Sequence, residues 1–305
     1  MNGSSEATAL EELTLAQRLT DYYELCKPRV VILIVFTAMV GMFLATPGMV
    51  PIPELVFGTL GIGLMAASAA AVNQMIDRKA DARMARTCGR PLVTRHLTLG
   101  QAIRFAIAIG LLGMAILYFL VNPLTAWLTL LALIGYAGIY TMYLKRATPQ
   151  NIVIGGAAGA APPVLGWAAV TGTVSIESLA LFLIIFIWTP PHFWALAIER
   201  HQEYADVDIP MLPVTHGLDF TRTQVLLYTI LLFLVSLLPF LLRMSGLIYL
   251  VGTVIFSGWF LVYAIRLKFA PQPGLAMRTF AYSIVYLMVI FTLLLVDHYM
   301  PYLLG

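Results

Sequence analysis

Residues 73–91 read NQMIDRKADARMARTCGRP and follow directly on an apolar run that carries no charge. The stretch therefore begins where a membrane helix meets water. Asn73, Asp77 and Asp81 are spaced four apart. At about 100° per residue, that spacing stacks the three side chains on one helical face, one turn above the next. Arg78, Lys79, Arg83, Arg86, Arg90 and Arg95 lie within or just beyond the same stretch. Two carboxylates a turn apart supply hard oxygen ligands of the kind Mg2+ takes, often in company with substrate phosphates. Guanidinium groups beside them suit a polyanionic diphosphate. A solvated, positive loop of any membrane protein would carry similar residues, and this stretch alone leaves both readings open.

Working outward, the composition fixes the broad class. Of the 305 residues, 60% are apolar and only 11% are charged, far from the balance of a soluble domain. Uncharged runs follow one another: Val30 to Pro53, Leu55 to Ile76, Phe105 to Leu144, Ala147 to Val174, Ser178 to Ile198, Thr223 to Leu242, Met244 to Ile265 and Thr279 to Val296. Each has the length that crosses a bilayer, and the third has about twice that length, with Asn122-Pro123 marking its division. The pattern predicts an all-α integral membrane protein of nine transmembrane helices around a central cavity. A polar arm, residues 1–29, precedes a single membrane domain, residues 30–305.

The basic residues orient it. With the N-terminus in the cytoplasm, every one of the 18 Lys and Arg except Arg243 falls on the cytoplasmic side. Glu6, Glu11, Glu12, Asp21 and Glu24 in the arm argue against a mitochondrial presequence, which points to a bacterial inner membrane. Leu15, Leu19, Tyr22 and Cys26 recur at helical spacing, so the arm is either an interfacial helix or a flexible tail. Cys26 and Cys88 lack a metal-ligand pattern and read as ordinary thiols.

A second stretch answers the first. Residues 188–213 read WTPPHFWALAIERHQEYADVDIPMLP, and Glu199, Glu203 and Asp206 share one face if the helix runs on past the membrane. Both acidic stretches leave the membrane on the same side, four helices apart, as in a weak parallel repeat. Between them in the chain, Tyr140, Lys145, Arg146, Thr148, Gln150 and Asn151 form a further polar cluster on that side. Groups suited to metal and diphosphate thus gather at one membrane face.

The segments NQMIDRKADARMARTCGRP, YLKRATPQN and WTPPHFWALAI with IPMLP resemble the UbiA superfamily of intramembrane prenyltransferases, and most of all its haem-farnesylating branch. The resemblance runs from YYELCKPRV at Tyr22 to the last helix. It implies a nine-helix fold, Mg2+ as cofactor, and farnesyl diphosphate and haem b as substrates, with water added to the product. It implies that Asn73, Asp77 and Asp81 hold Mg2+ bound to diphosphate. Arg78, Arg86 and Arg90 would line the same mouth, and Lys145 and Arg146, with Tyr140 nearby, match the basic motif between the acid pairs. Many superfamily members have an Asp-rich second motif. Here His192, Glu199 and Glu203 stand in that region, so Glu203 and Glu199 become the ligands expected for a second metal, Glu203 foremost. The catalytic set implied is Asp77, Asp81, Lys145 and Glu203.

His192 carries two readings: a contact to haem, or a structural histidine serving backbone freed by Pro190-Pro191. The run Gly155 to Ala161 permits close helix contact, and packing is its expected role. Two other functions compete. One is prenyl transfer to an aromatic acid such as 4-hydroxybenzoate, against which Pro-Pro-His in place of an Asp-bearing turn speaks. The other is secondary transport, whose acids usually lie near the bilayer midplane rather than at helix ends. An oxidase-assembly or haem-modifying partner is conceivable, but no segment demonstrates one. Nucleic acid has no footprint here.

Overall fold

The computed structural model describes residues 14–84, 87–206 and 209–304, the side chains of Arg146 and of residues 301–304 excepted. The described residues are helical wherever they are regular. Eight helices are long and apolar enough to cross a membrane, or nine when one bent pair is counted as a single span. That pair is α1 (Leu15–Leu25) and α2 (Pro28–Leu44), which meet at 53°. The remaining spans are α3 (Ile52–Asp81), α4 (Leu99–Leu120), α5 (Pro123–Leu144), α6 (Asn151–Thr171), α7 (Ile176–Glu199), α10 (Leu218–Leu241), α11 (Leu247–Phe269) and α12 (Leu275–Leu304). The short helices α8 (His201–Ala205) and α9 (Leu212–Thr215) lie between α7 and α10.

Local chemistry sets where these helices begin. Thr98 and Ser175 cap α4 and α7 with reciprocal side-chain bonds to Gln101 and Ser178. Asn122 caps α5 by accepting from the Thr125 amide at 2.9 Å, with Pro123 in the first turn, so the long uncharged run divides where Asn-Pro predicts. At the opposite end of the molecule from the acid motif, Asp297 of α12 accepts from the amides of Gly246, Ile248 and Tyr249 at the start of α11. A carboxylate there satisfies orphan donors and complements the helix dipole, which accounts for an acid at the far membrane face.

The helices close a ring. α2 packs on α3, α3 on the second half of α5, α5 on α6, α6 on α7, α7 on α10, α10 on α11, α11 on α12, and α12 returns to α2. The exterior of α4 and α11 is apolar, with Ile107, Leu111, Phe119, Val251, Ile255 and Trp259 all exposed, as lipid contact requires. Small residues set the tightest crossing. Gly41 of α2 lies against the Pro163 carbonyl, and Gly166 of α6 lies against the Ala38 carbonyl, so two backbones touch.

One segment departs from α-helix. The second half of α5, Ile134–Leu144, is π-helical, and Thr141 Oγ1 donates to the Tyr136 carbonyl five residues back at 2.8 Å. Runs of this kind are rare and collect at functional sites. Its widened turn ends at Lys145.

Candidate active site

Asn73, Asp77 and Asp81 occupy the last turns of α3, and all three are buried. The one-face expectation from their spacing is met. Buried carboxylates are costly unless paired, and here each has a cation. Lys145 Nζ donates to Asp77 Oδ2 at 2.6 Å, carried there by the π-helical end of α5. Arg90 Nη1 donates to Asp81 Oδ2, because the loop after α3 folds back, with Thr87 Oγ1 bonding the Asp81 carbonyl at 2.9 Å. Asn73 Nδ2 donates to Asp77 Oδ2 at 3.1 Å and to Thr141 Oγ1 at 3.0 Å. Its carbonyl oxygen accepts from Lys27 Nζ.

Lys27 was not foreseen. It stands at the break between α1 and α2 and reads in sequence only as the start of a membrane helix. Asn73 and Lys27 are 46 residues apart, and no local periodicity links them.

Tyr140 stacks on Tyr136 with ring centroids 5.8 Å apart, and its ring lies directly over Gly155 of α6. A Cβ at Gly155 would fall 2.1 Å from that ring. Gly155 and Gly156 of that run are therefore packing positions, Gly155 seating Tyr140 and Gly156 lying against Thr189, while a Cβ at Gly159 would meet nothing within 4 Å. In a π-turn the bond runs from i to i+5, which brings Tyr140 and Lys145 toward a common face, as an α-turn would not. Arg78, by contrast, is exposed. Arg86 lies outside the described residues, and so does the side chain of Arg146.

The second acidic stretch reaches the same end of the molecule. Met84, just after the first acid motif, shares an apolar cluster with Trp194, Ile198, Tyr204, Ile209 and Met211. The expectation that Glu199 and Glu203 share one continuous helical face fails, however. α7 ends at Glu199, Arg200 leaves helical geometry at φ −109° and ψ 23°, and Glu203 belongs to α8. The break turns Glu199 to solvent. Glu203 Oε2 is buried without a hydrogen bond, with Arg200 Nη1 at 3.6 Å.

His192 lies deep in α7 between two aromatic planes, Trp188 at 4.2 Å and Phe280 of α12 at 4.5 Å. It does not serve the backbone freed by the two prolines. Its Nδ1 meets Ser283 Oγ at 2.6 Å, and that hydroxyl donates its own proton to the Phe280 carbonyl, also at 2.6 Å. The histidine must then be the donor, which in a neutral imidazole leaves the lone pair on Nε2. Trp188 Nε1 locks the same corner by donating to the Ser283 carbonyl at 2.8 Å.

A hard cation suits the α3 cluster on chemical grounds. Its donors are oxygens, and Asp77 Oδ1 is buried with no partner, an acceptor that polar burial does not tolerate idly. Among the described residues no three His, Cys, Asp or Glu side chains converge as a cage. A metal held by Asn73, Asp77 and Asp81 would complete its shell with substrate oxygens and water, the usual habit of Mg2+.

Comparison with known proteins agrees with this geometry. Residues 34–296 match the UbiA prenyltransferase family. The chain belongs to that family. It is 63% identical over 281 residues to the protoheme IX farnesyltransferase of Nitrosococcus oceani, covering 92% of this chain and 94% of that one. The protein of the same name from Methylococcus capsulatus is 63% identical over 278 residues, covering 91% and 93%. Among solved structures, a digeranylgeranylglyceryl phosphate synthase superposes with a TM-score of 0.79 at 18% identity, covering 92% and 99%. A UbiA homologue from Archaeoglobus fulgidus bound to DMAPP and Mg2+ gives 0.61 at 18% identity, covering 90% and 99%. The fold of this UbiA-family chain is that of the intramembrane prenyltransferases.

Proposed function

We propose that this chain transfers the farnesyl group of farnesyl diphosphate to a vinyl carbon of haem b, with addition of water, giving haem O and pyrophosphate. The observation that carries the reading is the end-to-end likeness, at 63% identity, to protoheme IX farnesyltransferases. The cation-paired acid cluster at the end of α3 supplies the chemistry.

In this reading Asn73, Asp77 and Asp81 would hold Mg2+ together with the diphosphate, and Glu203 would serve a second ion, while Glu199, turned to solvent, would not. An ion held there would neutralise charge on the leaving group. Lys145 and Arg90, with Arg86 and Arg146, add fixed positive charge where the leaving oxygen develops its own negative charge. The allylic C–O bond breaks with its electron pair on diphosphate. Tyr140, seated on Gly155, presents an aromatic face to the allylic cation, and aromatic faces attract cations. The helix ring keeps bulk water away until a haem vinyl carbon donates its π electrons to form the C–C bond. The cation left beside the porphyrin is captured by water, which loses a proton, so no strong general base is needed for the carbon–carbon step. His192 offers Nε2 to the haem iron or periphery. The active-site face is cytoplasmic, in a bacterial inner membrane, as the basic residues direct.

Two expected results test the parts. Adding ferric haem b to purified protein should shift the Soret band, and His192→Ala should weaken that binding by about 10- to 100-fold, the usual cost of losing a group that positions or ligates a metal centre. An unaltered titration would remove His192 from the acceptor site. Gly155→Ala should displace the Tyr140 ring and cut haem O formation by roughly tenfold or more, since a 1 Å misplacement can cost that much. Mass spectrometry of extracted haems reads it, and full activity would show that the ring can sit elsewhere.

A further inference from the structure

The side chains that would hold the metal already hold cations of the chain itself. Lys27 is on Asn73 Oδ1, Lys145 on Asp77 Oδ2 and Arg90 on Asp81 Oδ2. Among the described residues, three basic side chains thus occupy one oxygen each of Asn73, Asp77 and Asp81. A bare dication that takes Asn73 Oδ1 must displace the Lys27 amine from it. A metal arriving with a diphosphate polyanion meets a different balance, because the displaced amine gains phosphate oxygens as new partners.

Lys27 is built for this contact. Its backbone is left-handed, at φ 51°, although Pro28 follows, and a non-glycine residue takes that conformation only where its surroundings impose it. The surroundings are visible. Gln74, next to Asn73, donates through Nε2 to the carbonyls of Glu24 and Leu25 at 2.9 and 3.2 Å. The pair Asn73-Gln74 thus grips the end of α1 and the residue beyond it together.

We propose that Lys27 is a gate on the metal site: it competes with divalent metal for Asn73, so that metal binds well only in company with a prenyl diphosphate, to which the released Lys27 turns. The inference rests on the prenyl diphosphate reading above and adds to it an order of binding and a residue that imposes it.

The test uses the full-length protein in detergent, with Mn2+ as the probe. Loss of the free Mn2+ signal in electron paramagnetic resonance is measured with and without farnesyl thiolodiphosphate, a slowly ionising analogue. The wild type should bind Mn2+ about tenfold or more tightly with the analogue than without it. Lys27→Met should tighten Mn2+ binding in the absence of the analogue by about tenfold and narrow that gap, and its thermal midpoint in EDTA should recover on adding Mn2+. Lys27→Arg, which keeps the charge, should behave as wild type. If Lys27→Met does not fold, Lys27→Gln, which can still donate to Asn73, should shift Mn2+ affinity in the same direction. Unchanged Mn2+ affinity in the folded neutral variant overturns the gate while leaving the prenyl diphosphate reading intact. Failure of the wild type to bind the analogue at all overturns both.

Discussion

Asp77→Asn is expected to lower haem O formation by about a hundred- to a thousandfold, the scale on which single preorganised electrostatic groups act. The substitution is nearly isosteric, so packing at the end of α3 is preserved. What changes is charge. Asp77 Oδ2 is shared by Lys145 and Asn73, and Oδ1 has no partner at all, so this one carboxylate joins the basic motif to the amide of the acid motif while presenting a free oxygen. An amide in its place cannot neutralise Lys145 and is a much poorer magnesium ligand. Extracted haems analysed by mass spectrometry, with farnesyl thiolodiphosphate binding measured alongside, separate lost catalysis from lost binding. Activity within a few-fold of wild type in a correctly inserted variant would mean that the metal and leaving group are handled elsewhere.

The expectation for Asp77 could be written from the sequence because helical periodicity is local. Residues four apart on one helix must be neighbours, and Asn73, Asp77 and Asp81 are. The spans were legible for a similar reason, since bilayer thickness imposes a minimum apolar length on every one of them. The first span shows where this logic stops. The sequence reads a straight helix from Val30, whereas the chain bends by 53° at Cys26-Lys27, and that bend is what turns Lys27 into the site. No composition rule encodes such a bend, because Gln74 of a distant helix holds it in place.

The helix break at Arg200 was hidden in the same way. A run of good helix formers, from Ala195 to Ala205, continues through it, and propensity is a weak prior that tertiary contacts override. The change from α to π geometry before Lys145 has no sequence signature here either, although it decides which tyrosine shares a face with the lysine. Ser283 and Phe280 could not have been named as partners of His192. They lie about ninety residues away on the last span, and only the closure of the ring brings them to α7. Residues fixed by one helix's own geometry were readable; residues delivered by a second helix were not.

The crossing of α2 and α6 yields the other large effect. Gly166→Ala should lower the thermal midpoint by about 2–5 °C, as expected for overpacking worth roughly 1–3 kcal/mol in a chain of this size. A Cβ at Gly166 would sit 1.9 Å from the Ala38 carbonyl oxygen, and one at Gly41 would sit 2.1 Å from the Pro163 carbonyl oxygen. Those neighbours are backbone, so no rotamer change relieves them, and the two helices must part. Gly159→Ala is the matched control, because a Cβ there meets nothing within 4 Å. The consequence should extend to catalysis. α2 begins beside Lys27, and α6 begins at Asn151, whose Nδ2 donates to the Lys145 carbonyl at 3.3 Å, so separating the helices draws apart two of the cations on the acid cluster. Gly166→Ala should therefore lose farnesyl thiolodiphosphate affinity as well as stability, while Gly159→Ala loses neither. Equal melting of the two variants would show that α2 and α6 can move apart freely, and the rigid support argued for Lys27 would go with it.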